Sequence, residues 1–206
     1  FKKRSFIDLF LFLLLNTSMI YSMVLNPQIV SIEFAGNIKT LDYIIEREIQ
    51  HKTDVILDSV LADEDRNRLE NLGLFSDVIW TIIPIDDEKA ILSFLVSESI
   101  QKTPPGVFPI YEENTGWSLQ GGWILQNFRG RNQTLDINGS IGGKDTYGIS
   151  FFDPWISGNH VSLSLNLSRL IYNHNFLDVQ IDINSFEIGL GKWFGDKVKA
   201  FTSLEL

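Results

Sequence analysis

Over the second half of the chain, apolar and polar residues alternate with a period of two. Residues 161 to 168 show it most plainly, with Val or Leu at the odd positions and Ser or Asn at the even ones. That spacing predicts a β-strand with one apolar face and one hydroxyl and amide face. Similar stretches recur from about residue 116 to the chain end. Trp117, Leu119, Gly121, Trp123 and Leu125 share one face, followed by Leu135, Ile137, Gly139 and Ile141, then Tyr147, Ile149 and Phe151. Residues 186 to 194 and 198 to 206 supply two more strands. Turn-forming runs separate them: residues 127 to 132, 142 to 145, Asp153-Pro154-Trp155 and Gly195-Asp196. A series of such strands, polar on one side and aromatic at intervals on the other, predicts a transmembrane β-barrel.

Residues 27 to 99 follow a different order: strand, helix, helix, strand, strand. A short strand over residues 29 to 34 ends at Gly36-Asn37. Thr40 is placed to cap a helix running to Ile49, with Leu41, Ile44, Ile45 and Ile49 on one face and Asp42 in its first turn. Asp58 or Ser59 starts a second helix that carries Leu61, Leu69 and Leu72 inward, and Gly73 stands where a left-handed cap ends it. Val78, Ile79, Trp80, Thr81 and Ile82 form the next strand, residues 86 to 89 turn the chain, and residues 90 to 96 return. Pro84 suits an edge strand and not a central one, so residues 78 to 82 are the candidate free edge. Thr103-Pro104-Pro105-Gly106 reads as a linker, since paired prolines donate no backbone hydrogen bond. Val107, Phe108, Pro109, Ile110 and Tyr111 form a weak first strand after it.

The βααββ order, Asn37, Thr40, Arg47-Glu48-Ile49 and the run Arg68-Leu69-Glu70-Asn71-Leu72-Gly73-Leu74-Phe75-Ser76-Asp77-Val78 together resemble a POTRA domain. Such domains belong to the outer-membrane protein assembly superfamily that includes BamA and TamA. Asn127-Phe128-Arg129-Gly130-Arg131-Asn132 and Phe152-Asp153-Pro154-Trp155 resemble the periplasmic turns of that family's barrel. The candidate turn residues are accordingly Phe128, Arg129, Gly130, Asp153, Pro154 and Trp155. The resemblance spans roughly residues 27 to 206, with its two regions in the family's order. It departs from the family in two respects: one POTRA domain stands where BamA-type proteins carry several, and the Arg-Gly-Phe or Arg-Gly-Tyr loop of the barrel interior is missing.

The resulting expectation is an α+β POTRA domain (βααββ) over residues 27 to 99 and a linker with a weak first strand over 100 to 115. Residues 116 to 206 then form the N-terminal part of an antiparallel transmembrane β-barrel. About seven strands are too few to close the family's barrel, and an open sheet edge in lipid leaves backbone groups unpaired. The chain also begins with Phe and stops inside an alternating stretch, so it reads as a portion of a longer protein. Residues 1 to 22 read as an export signal: Lys2, Lys3 and Arg4, an apolar run from Phe6 to Leu15 broken by Asp8, and Ser22 as a small cleavage residue. That run is too short to span a bilayer as a helix. An uncleaved anchor is the other reading of it.

Composition narrows the chemistry. A net charge of -9 makes the chain a poor partner for nucleic acid. With no Cys, disulfides, thiol chemistry and Cys-based zinc sites are excluded. Asp63-Glu64-Asp65 lies on a helix beside Arg66 and Arg68 and reads as a solvated face. His51, His160 and His174 have no metal-ligand spacing. Gly142-Gly143-Lys144 lacks the spacing of a phosphate loop. His160 with a strand Ser is a weak echo of a barrel hydrolase. No enzyme activity and no cofactor is expected.

The resemblance implies a protein of the outer membrane with its POTRA domain in the periplasm. Its partners would be unfolded outer-membrane or secreted client polypeptides, outer-membrane lipid and accessory periplasmic or lipoprotein subunits. The 78 to 82 edge would capture the client by β-augmentation, and residues 107 to 111 would form the barrel seam. The alternatives are a two-partner-secretion type translocation pore, a cell-division POTRA-like protein behind an inner-membrane anchor, and a passive porin or barrel enzyme.

Overall fold

The computed structural model describes residues 26–100, 104–157, 160–174, 177, 179–194 and 198–206. The expected export signal at residues 1 to 22 lies outside them, as do Thr103 of the linker and the Gly195-Asp196 turn.

The first unit runs β1 (Gln28–Ala35), α1 (Asp42–Glu46), β2 (Val55–Ile56), α2 (Ser59–Asn71), β3 (Phe75–Pro84) and β4 (Lys89–Glu98). Its sheet has the order β2-β1-β4-β3. Strand β1 runs parallel to β4, while β3 runs antiparallel to it. The two helices cover one sheet face, where Ile44, Ile45, Leu69, Leu92 and Phe94 are fully buried. Truncating such a side chain to Ala typically costs about 2–5 kcal/mol, so this core is what holds the unit's shape.

Local chemistry explains the borders. The Asp58 carboxylate accepts from the backbone N–H groups of Val60 and Leu61 and caps α2. Gly73, at φ +68, supplies the left-handed turn that ends the helix. Four expectations need correction. Helix α1 ends at Glu46, well before Ile49, and Leu41 is its N-cap, making no side-chain hydrogen bond as a cap. The Thr40 hydroxyl is engaged elsewhere, as described below. Leu41 is 41% exposed and lies outside the core. The short β2, which pairs with the start of β1, has too little periodicity to be legible in sequence.

Asp65 is the fourth correction. It is fully buried, not part of a solvated face. Its carboxylate accepts the backbone N–H groups of Gln50 and His51 at 2.8 and 3.0 Å and pairs with Arg68. The carboxylate therefore staples the loop after α1 to α2.

The second unit is one antiparallel sheet of seven strands in sequence order: β5 (Gly106–Glu112), β6 (Gly116–Phe128), β7 (Gln133–Gly142), β8 (Lys144–Ser157), β9 (Val161–His174), β10 (Val179–Phe194) and β11 (Val198–Glu205). Its register sorts the side chains by face. Leu125, Leu135, Phe151 and Leu165 fall on one row, and Trp123, Ile137, Ile149, Leu167 and Phe186 on the next. The other face carries Asn138, Ser150, Asn166 and Ser168. One face is apolar and the other polar, the division that the wall of a transmembrane barrel requires. Asp153-Pro154-Trp155 does not end a strand as its composition suggested. It lies inside β8, which continues to Ser157 through a register shift. The Asp153 carboxylate accepts the Trp155 N–H at 2.9 Å, so the local hydrogen bond bulges the strand instead of turning it.

Candidate functional site: two free edges and a joint

Among the described residues, each sheet has two edge strands, β2 and β3 in the first and β5 and β11 in the second, and the candidate residues lie on β3 and β5. The Ile85 N–H donates to Lys89 across the hairpin, which fixes the alternation along β3. Odd residues bond to β4, while Val78, Trp80 and Ile82 direct their N–H and C=O groups away from the sheet. Pro84 falls in the outward set, where its missing donor leaves no broken bond inside the sheet. Residues 78 to 82 thus present a row of backbone groups beside a packed core.

The same logic applies to β5. Gly143 N–H donates to the Trp117 carbonyl at 2.8 Å, so Trp117 faces β7 with its backbone and not β5. Tyr111 is opposite Trp117 and Pro109 opposite Leu119. The backbone groups of Val107, Pro109 and Tyr111 therefore point outward from β5. The middle donor of that outward row is absent because Pro109 has no N–H.

A polar joint connects the two units. Two N–H groups, of Lys39 at 2.9 Å and Thr40 at 2.6 Å, converge on the Glu98 carboxylate at the end of β4. The Thr40 hydroxyl accepts from the Asn127 side-chain amide at 2.9 Å, a contact buried between the units. The Leu41 N–H reaches the Gly130 carbonyl at 2.9 Å, and Lys39 Nζ reaches that of Gln126 at 3.0 Å. Asn127, Arg129, Gly130 and Asn132 all have positive φ, which folds the β6–β7 turn back on itself. Gly130 admits no side chain, because a Cβ there would lie 2.1 Å from the Lys39 carbonyl oxygen. Burial pushes the Glu98 carboxyl upward, yet the hydrogen bonds from Thr40 and then Lys39 outweigh it, holding the group below its ordinary value.

A second contact involves the β8 bulge. An Arg47 guanidinium N–H donates to the Trp155 carbonyl at 3.3 Å, and the group lies 4.6 Å from the centre of the Trp155 ring. The His160 ring stacks on Trp155 at 3.8 Å, and its Nε2 stands 3.7 Å from the Glu48 carboxylate. Burial lowers the Arg47 pKa against the opposing pull of Glu48, Tyr43 and Asp153, and it raises that of Glu48 against His160 and Arg47. Between the contacts and the inner wall is a cleft of about 680 Å³, lined by Asn67 and Arg68 of α2 and by Thr134, Phe152 and Trp193 of the sheet.

The structure thus gathers the turn residues Gly130, Asp153 and Trp155 at one joint and leaves the two candidate edges apart. Sequence reading missed the roles of Lys39, Glu98, Asn127 and His160. The Arg47-Glu48 pair and Thr40 stood out only as parts of a family pattern.

Comparison with known proteins agrees with this layout. The family model described as surface antigen variable number repeat, the POTRA model, matches residues 27–99. The Omp85 superfamily domain matches residues 127–200. Over 148 residues the chain is 29% identical to the sorting and assembly machinery component 50 homolog of Xenopus tropicalis, covering 68% of this chain and 31% of that protein. It is 24% identical over 142 residues to the outer membrane protein assembly factor BamA of Neisseria meningitidis serogroup B, covering 66% of this chain and 17% of that one. The fold is similar to BamA from Haemophilus ducreyi lacking POTRA domains 1–3, at TM-score 0.71 and 20% identity over 87% of this chain and 35% of that chain. CdiB from Acinetobacter baumannii shares it at TM-score 0.55 and 16% identity, again over 87% of this chain and 37% of that one. The chain spans between 17% and 37% of each of these proteins.

Proposed function

The chain belongs to the Omp85 superfamily, and from that premise we propose that it assembles other proteins into the outer membrane. It captures an unfolded client on β3 and passes it to the seam at β5. The observation that carries this reading is the pair of free edges on two units held together by a buried joint. An edge strand binds extended polypeptide through its main-chain groups, so it accepts many sequences while shielding the client from aggregation. The POTRA domain works in the periplasm, and the apolar face of the barrel sheet meets outer-membrane lipid. Accessory periplasmic or lipoprotein subunits would dock on the POTRA domain. No catalytic residue and no cofactor enters this scheme.

The test uses photoreactive residues at positions 81 and 110 of the protein in liposomes, supplied with an unfolded β-barrel client. Assembly requires a cross-link to position 81, then one to position 110, and finally a client that resists protease within the membrane. A client that crosses and emerges soluble on the far side would instead establish a secretion pore. Absence of cross-links at both positions would refute the edge-capture reading.

A further inference from the structure

The free edge of β3 has two unlike sides. On the open sheet face, Ile79 is 51% exposed beside Leu95 of β4, which is 50% exposed, and Ile83 is 43% exposed beside Ile91. Thr81 lies between them. The other side faces α2. There the Trp80 indole N–H donates to the Asp63 carboxylate at 2.9 Å. Asp63, Arg66 and Glu70 follow the i, i+3, i+7 spacing of one helix face and are linked by ion pairs at 3.4 and 3.9 Å. One flank of the edge is therefore exposed and apolar, while on the other Val78, Trp80 and Ile82 pack into the core beside the charged stripe of α2.

We infer that the β3 edge sorts the strands it captures by facing, accepting an alternating amphipathic strand with its apolar side on Ile79 and Ile83 and its polar side towards the α2 stripe. The inference rests on β3 being the capture edge. An added strand continues the pleat, so its alternate side chains fall on opposite sides of the sheet. Those opposite Ile79, Thr81 and Ile83 cover apolar surface and remove it from water. Those opposite Val78, Trp80 and Ile82 stand beside Asp63 and Arg66, where Ser or Asn can hydrogen-bond and Leu would strip water from charges. The reversed facing leaves Ile79 and Ile83 in water and sets apolar side chains beside the charged stripe, with only the half-buried Trp80 and Ile82 to cover in exchange, and a segment without alternation fits one side at most. Strands of barrel type have the required pattern, and β9 of this chain is one of them.

The test compares two photo-leucine peptides on the full chain in detergent micelles. One has the β9 sequence, Val-Ser-Leu-Ser-Leu-Asn-Leu-Ser-Arg. The other has the same composition without alternation, Leu-Leu-Ser-Ser-Val-Leu-Asn-Ser-Arg. Sorting by facing requires the alternating peptide to bind about tenfold tighter, the effect of covering one more apolar side chain. Its leucines should cross-link to Ile79 and Ile83 and not to α2. Equal or reversed affinities, or cross-links at Asp63 and Arg66, would overturn the sorting and leave β3 as a capture edge. If neither peptide cross-links to β3, the capture reading itself falls.

Discussion

The side-chain amide of Asn127 donates to the hydroxyl of Thr40 at 2.9 Å, across 87 residues of sequence and from one folded unit to the other. Around this bond, Glu98 fixes the chain that presents Thr40, while Asn127 also accepts the N–H of Asn132 and braces its own turn. A pull on the POTRA domain is thus transmitted to the β6–β7 turn through groups with little freedom to yield.

Gly130→Ala attacks that joint directly. A Cβ at this position meets the Lys39 carbonyl, and the residue must keep φ +72. Undocking exchanges the hydrogen bonds of the Leu41 N–H and the Asn127 amide for bonds to water, at about 0.5–1.5 kcal/mol each. Spin labels at Asp77 and Thr202 should report a broadened distance distribution, with the circular dichroism of the two units unchanged. A distribution as narrow as that of the parent would mean that the joint does not depend on this contact.

Trp155→Ala tests the second contact. It removes the ring that lies between Arg47 and His160, at about 1–2 kcal/mol for a partly desolvated cation–π pair. The same labels should show partial loosening. Trp155→Phe, which keeps an aromatic face, should restore most of the parent distribution.

Acid should loosen the joint through Glu98. Its pKa is lowered by bonds to Thr40 and Lys39 within the folded POTRA unit, so its hold on the segment that presents Thr40 to Asn127 is complete above the ordinary carboxylate value and is lost as the pH falls through the lower folded value. Glu98→Gln should weaken docking at neutral pH and flatten the acid limb of its pH profile. An acid limb of unchanged steepness would assign the loss to other carboxylates.

The sequence made legible what depends on local pattern. The β3 edge is visible from its alternation and from Pro84, and the faces of the barrel sheet are visible from their period of two. The joint was not, because its determinants come from distant segments. Thr40 has the composition of a helix cap, but its hydroxyl is taken by Asn127. Asp153-Pro154 has the composition of a turn, but the Asp153 carboxylate holds a bulge. Asp65 sits in a charged run, and only tertiary packing shows that it alone of that run is fully buried.

Asp65→Ala therefore serves as a test of that buried staple. It would leave the Gln50 and His51 N–H groups without their acceptor and Arg68 without one of its partners. A loss of about 2–5 kcal/mol in POTRA stability is expected, read as a lower urea midpoint by tryptophan fluorescence. Glu64→Ala, on the exposed side of the same helix, should change it by under about 0.5 kcal/mol.

Pro109→Ala addresses the seam. The alternation along β5 aims residue 109 outward, so alanine adds one N–H donor to the row that would hold an incoming strand. A further hydrogen bond of about 0.5–1.5 kcal/mol lengthens the residence of that strand roughly two- to tenfold. In liposomes, the variant should give stronger client cross-links from position 110 and a correspondingly slower appearance of protease-resistant client. Its proline would then serve to keep the seam weak enough for release. Parent-like residence and insertion rates would show that Pro109 has no such part, and that β5 tolerates it merely as an edge strand.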